Sequence, residues 1–107
     1  MSSEYGMVLT TVAPGDEQVI IDNLLTQQLA GCIQVLAIDS HYVWQDEICN
    51  DKESLLIIKT RLALYDKVEA AILQQHNYDV PQIVMVSFVD GLNPYLVWLD
   101  AQTQGAE

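Results

Sequence analysis

Few side chains in this sequence are suited to chemistry beyond packing, and their spacing limits what they can do. The two cysteines, Cys32 and Cys49, are too few and too widely separated for a disulfide framework or a CxxC metal knuckle. Cys32 enters an apolar run, where a thiol is by default a small buried hydrophobe; its sharper use is as a soft ligand for copper. Cys49 lies among Asp46, Glu47 and Asp51, an exposed thiol with no partner that would activate it. His76 closes an amphipathic segment, where the carbonyl end of a helix favours a cationic imidazole as readily as the ring would favour a metal. His41 stands beside Asp39 and reads as ordinary surface. With no HxH, HxxxH or HExxH, a transition-metal site preformed in one chain is not encoded, and any such site would combine groups from several subunits.

The remaining chemistry is acidic and aromatic. Fifteen carboxylates face four Lys and Arg, a formal charge of −11, which repels phosphate backbones and anionic membranes and argues against nucleic-acid or membrane partners. No spacing matches an EF-hand; Asp46, Glu47 and Asp51 form the densest acidic group and would hold divalent ions weakly. There is no GxSxG elbow, no Gly-rich phosphate loop and no Ser-His-Asp order, so an enzyme is not expected, nor an organic cofactor. Tyr42, Trp44, Tyr78, Tyr95 and Trp98 are the large aromatics. Tyr95 and Trp98 share a helix face and suit packing. Tyr42, Trp44 and Tyr78 could instead line a ligand cleft between subunits.

These residues must be positioned by one domain, since 107 residues, half of them apolar, support a single modest core over residues 1–107. Residues 5–13 read as a strand stopped by Pro14-Gly15, and residues 16–29 as a helix with Val19, Ile20, Leu24 and Leu25 on one face and Gly31 at its end. Residues 32–60 carry two β-branched runs around the polar QDEICND, the pattern of a long hairpin with a loose acidic tip. A second amphipathic helix spans residues 61–76, a strand spans 82–89, and Pro94 opens a short closing helix. Residues 1–4 and the last few residues are polar and expected to be loose. Two right-handed β-α-β units in this order give an α+β, ferredoxin-like βαββαβ sandwich: a four-stranded antiparallel sheet with two helices on one face and a C-terminal helix.

That architecture leaves a surplus. Leu55-Leu56-Ile57-Ile58 and Ile83-Val84-Met85-Val86 send apolar side chains to both sheet faces, whereas two helices cover one. At about 25 cal/mol per Å², leaving a whole face wet forgoes many kcal/mol, comparable with the stability of a small domain. A closed homo-oligomer is therefore expected, the second face meeting another copy of itself. Unpaired cysteines, no basic-plus-apolar leader and no long apolar run point to a cytoplasmic chain.

Five segments in register carry a resemblance: Gly31-Cys32 entering a strand; Tyr42-Val43-Trp44; Glu53 leading to Ile58-Lys59-Thr60; residues 76–81, HNYDVP; and Tyr95-Leu96-Val97-Trp98-Leu99. Over nearly the whole chain the sequence resembles the CutA family of divalent-cation-tolerance proteins. The resemblance implies a cytosolic trimer of ferredoxin-like subunits, similar in architecture to the PII signalling proteins and linked to tolerance of copper and other divalent metals. The count of three rests on the resemblance alone. On the metal reading the ligands would be Cys32, Glu53 and His76, with Cu2+ or another divalent cation; on the other, a PII-like regulatory or scaffolding trimer takes a small molecule or partner protein in its clefts. The chain departs from the family pattern at Asp46, Asn77 and Gln82, where Gly, Pro and Glu are usual. The first implies a different hairpin tip; the last removes a carboxylate.

Overall fold

The structure, a computed structural model, describes residues 4–104. Residues 1–3 and 105–107, most of the two ends expected to be loose, lie outside the described residues. Glu4 is not loose: its carbonyl accepts the Leu62 N–H at 2.8 Å. The elements are β1 (Tyr5–Val12), α1 (Glu17–Thr26), β2 (Cys32–Trp44), β3 (Glu47–Arg61), α2 (Tyr65–Gln75), β4 (Ile83–Ser87) and α3 (Asn93–Gln102), with a 3-10 turn at Leu62–Leu64 ahead of α2. The strands run in the order β2-β3-β1-β4, every pair antiparallel, which is the ferredoxin-like arrangement.

Alternation along the strands decides what is buried. Val8, Val12, Leu56 and Ile58 point to the face covered by α1 and α2, where they meet Ile20, Leu24, Val68 and Ile72 in one cluster of almost fully buried side chains. Gly6 sits where β1 runs between β3 and β4. A Cβ there would lie 2.5 Å from the Val86 carbonyl oxygen, a backbone atom that cannot step aside. β4 is shorter than the run 82–89, since its pairing with β1 ends at Gly6 opposite Ser87.

The hairpin differs from the loose acidic tip expected of it. Pairing continues to Trp44 opposite Glu47, leaving only Gln45 and Asp46 in the turn, at φ 51° and 66°. That is the left-handed backbone of a tight type I′ turn, whose twist matches the strands on either side. Strand propensity in Tyr42-Val43-Trp44 and Ile48-Cys49 outweighs the polarity between them, and Cys49 lies inside β3 opposite Tyr42. Because β1 ends at Val12 opposite Ser54, residues 38–53 form a two-stranded ribbon without a third strand, and the chain is elongated at 44 × 26 × 21 Å.

The helix-ending role expected of Gly31 falls on another residue. α1 stops at Thr26, and Gln28, not Gly31, takes the positive φ of 57° that turns the chain out of the helix. Gly31 is small for a different reason: a Cβ would stand 2.7 Å from Leu99 Cδ1, so it marks where α3 presses on the start of β2. α2 begins at Tyr65 rather than Arg61 and ends at Gln75, and His76 leaves it in extended backbone.

Candidate functional site

The face of the sheet opposite α1 and α2 is the part of the molecule still to be accounted for. By register it carries Met7 and Leu9 of β1, Leu36 of β2, Leu55 and Ile57 of β3, and Val84 and Val86 of β4. Leu36, Val84 and Val86 are 50%, 47% and 44% exposed, too much for residues committed to a core. The expectation that no helix remains to cover this face needs correction, because α3 covers one end of it. Arg61 Nε donates to the Thr103 carbonyl at 3.1 Å, Lys59 Nζ stands 5.8 Å from the Tyr95 ring centre, and the Tyr5 hydroxyl donates to Asp100 at 3.3 Å. Tyr95 and Trp98, ring centres 5.7 Å apart, are part of this cover.

At the other end, where the ribbon leaves the sheet, residues 76–82 cross from α2 and place Tyr78 over the same face. Its hydroxyl donates to Glu53 Oε2 at 2.8 Å. Two residues further along β3, Asp51 accepts the Tyr42 hydroxyl. Between ribbon and crossing segment lies a groove of about 570 Å³, lined by Tyr42, Trp44, Asp51, Glu53, Tyr78 and Asp79 among others, with no Lys or Arg. Glu53 is 8% exposed, whereas Tyr42, Trp44 and Tyr78 each show between 38% and 44% of their surface. The aromatic trio expected to line a cleft is thus brought together within one chain.

The tyrosines report the electrostatics. The Asp51 carboxylate that accepts the Tyr42 hydroxyl pushes that phenol up to about 12, since ionisation would set two negative charges side by side. Burial first, and the Glu53 hydrogen bond second, push Tyr78 higher still. His76 holds the segment in place through both ring nitrogens: Nε2 donates to the Thr11 carbonyl at 2.8 Å, and Nδ1 accepts the Tyr78 N–H at 3.2 Å. A carbonyl only accepts and an amide N–H only donates, so in this arrangement Nε2 is the donor and Nδ1 the acceptor. His76 stands at the C-cap of α2, as expected, and there braces the crossing segment, with the ring 4.8 Å from that of Tyr78.

The candidate metal ligands do not converge. Cys32 pairs with Lys59, six residues along β2 from Ile38 opposite Glu53, which places them about 20 Å apart at about 3.3 Å per residue. Glu53 and His76 are linked only through Tyr78, and both His76 nitrogens are engaged. Among the described residues no three His, Cys, Asp or Glu side chains are grouped to hold a metal ion, the group Asp46, Glu47 and Asp51 included. Of the departures from the family pattern, Asp46 adopts the positive φ that Gly would, Asn77 Nδ2 donates to Asp16 Oδ2 at 3.1 Å, and Gln82 lines the groove. Sequence reasoning missed Asp51 and Asp79 as groove residues; hairpin register could have placed Asp51 beside Tyr42, but nothing local places residues 78–82 over the sheet.

An antiparallel ferredoxin-like sheet with one packed face, one half-covered apolar face and a protruding two-stranded ribbon defines the class: an α+β, ferredoxin-like domain. The CutA1 divalent ion tolerance protein family matches residues 6–102, and the chain belongs to that family. It is 35% identical over 100 residues to the divalent-cation tolerance protein CutA of Thermus thermophilus, covering 91% of this chain and 96% of that one. The crystal structure of CutA1 from Oryza sativa superposes with a TM-score of 0.90 at 30% identity, covering 96% of each chain. The PII-like protein CutA from Nostoc, at 22% identity and a TM-score of 0.88, covers 92% of this chain and 97% of its own and shares the fold. The chain spans about half the length of the chloroplastic CutA relatives it matches, 47% of each.

Proposed function

We propose that this chain acts as a homotrimer in divalent-cation tolerance, without catalytic activity, in a reducing compartment such as the cytoplasm. The observation that carries the assembly is the part of the second sheet face that α3 leaves uncovered: Leu36, Val84 and Val86 are about half exposed, and the ribbon ends in Val43 and Ile48, 70% and 88% exposed. A two-stranded ribbon is marginal alone in water, and neighbouring copies are the available cover. No helix among the described residues is long and apolar enough to cross a membrane. Light scattering on the eluting protein tests the assembly, with three times the chain mass expected and a folded monomer overturning it.

Copper or another divalent ion would be held by groups drawn from more than one copy, with Cys32, Glu53 and His76 the candidates. His76 would first have to release Thr11 or Tyr78. Calorimetric titration with Cu2+ and Zn2+ tests this: saturable micromolar binding lost in Cys32→Ser or His76→Ala supports it, and weak binding set by ionic strength overturns it. A second reading, a PII-like regulatory trimer taking a small molecule or partner protein, is favoured by the groove beside Tyr78.

A further inference from the structure

We propose that the groove between the ribbon and residues 78–82 binds a small organic cation, a protonated or quaternary amine. This rests on the small-ligand reading above and names the ligand's chemistry. Glu53 carries the argument. It is more than nine-tenths buried and lines the groove, yet its one hydrogen bond is the Tyr78 hydroxyl on Oε2; Oε1 receives no donor. A largely buried carboxylate with one oxygen paired and the other still reached by solvent favours a partner of opposite charge. Asp51 and Asp79 add negative charge, and no Lys or Arg lines the groove to neutralise it.

The other walls fix the kind of cation. Tyr42, Trp44 and Tyr78 leave about two-fifths of their surface open, and aromatic faces attract an ammonium group through the ring quadrupole. A bare divalent ion fits less well, because Tyr42 and Tyr78 already cap one oxygen each of Asp51 and Glu53 and no three ligating side chains are grouped. An anion would meet three carboxylates. The volume of about 570 Å³ falls within the range of small-molecule sites, with room for an apolar body on the cation.

Choline and its neutral isostere 3,3-dimethylbutan-1-ol separate charge from shape. Titrated against the intact oligomer and followed by tryptophan fluorescence and ligand-observed NMR, choline should bind saturably and at least about tenfold more tightly, about 1.4 kcal/mol. Glu53→Gln keeps an acceptor for Tyr78 and removes the charge, and should abolish the preference while the melting temperature holds. Trp44→Leu, on the ribbon and outside the buried core of the chain, should weaken choline while light scattering shows the assembly retained. Equal binding of the two probes overturns the cation and leaves the small-ligand reading standing. Binding of neither at millimolar concentration overturns both.

Discussion

Tyr78 joins three parts of the molecule by single contacts: its N–H to His76, its hydroxyl to Glu53 and its ring to the groove. Removing the hydroxyl in Tyr78→Phe leaves Glu53 without a donor in a buried setting, and should cost about 1 to 2 kcal/mol in chemical denaturation. Alkaline titration reads the same network. Tyr42 and Tyr78 have folded-state values above the ordinary phenol range near 10, so their hydrogen bonds contribute stability that is complete below about pH 10. That contribution is lost as pH rises through about 12 for Tyr42. Tyrosinate absorbance should therefore show these two ionising late, and Tyr42→Phe should delete the step near 12. Glu17 has the opposite sign. The Ser54 hydroxyl holds its carboxyl below the ordinary range, so its contribution is present above about pH 4.3 and is lost on acidification below that. In Glu17→Gln the acid limb of stability against pH should flatten.

Among the elements, the β2-β3 hairpin departs furthest from its sequence signature. A type I′ turn wants Asn-Gly or Asp-Gly, and here Gln45 and Asp46 occupy it at positive φ, the first being a residue type that rarely visits that region. Asp46→Gly should remove strain and raise stability by about 0.5 to 1 kcal/mol, a rise of several degrees in melting temperature at fixed protein concentration. No change would mean that the turn carries no strain. All four strands and all three helices were legible from periodicity and turn residues because those signals are local and regular. Element ends were not: Gln28 rather than Gly31 turns the chain after α1, since what a glycine is for depends on what presses against it, and Leu99 comes from the far end of the sequence.

For the whole molecule, two quantities compete: a face with more apolar surface than α3 and Tyr78 cover, and a charge of −11 that makes copies repel. The Lys52–Asp39 pair at 2.9 Å is solvent-exposed and offsets little. Raising salt toward about 0.15 M screens repulsion between charges more than about 8 Å apart and should increase both melting temperature and the associated fraction, the reverse of a molecule held by surface ion pairs. Leu36→Glu, on the edge strand β2 of the face opposite α1 and α2, should shift the protein to smaller species in light scattering while spectra retain β structure. An unchanged mass would show that this face is not the contact.

The sequence alone determined the order of elements, the antiparallel α+β architecture, the surplus of apolar strand and the family, because strand and helix periodicity, turn residues and five motifs in register are local features of the chain. Tertiary structure decided what those elements enclose. It separated Cys32 from Glu53 by six positions along the β2-β3 ladder, occupied both nitrogens of His76 with backbone partners, laid α3 over one end of the second face, and brought Tyr42, Trp44 and Tyr78 around a buried carboxylate. The reason is physical: a side chain's neighbours across a sheet are set by strand pairing and by segments that return from far along the chain, and neither is written in the residues next to it.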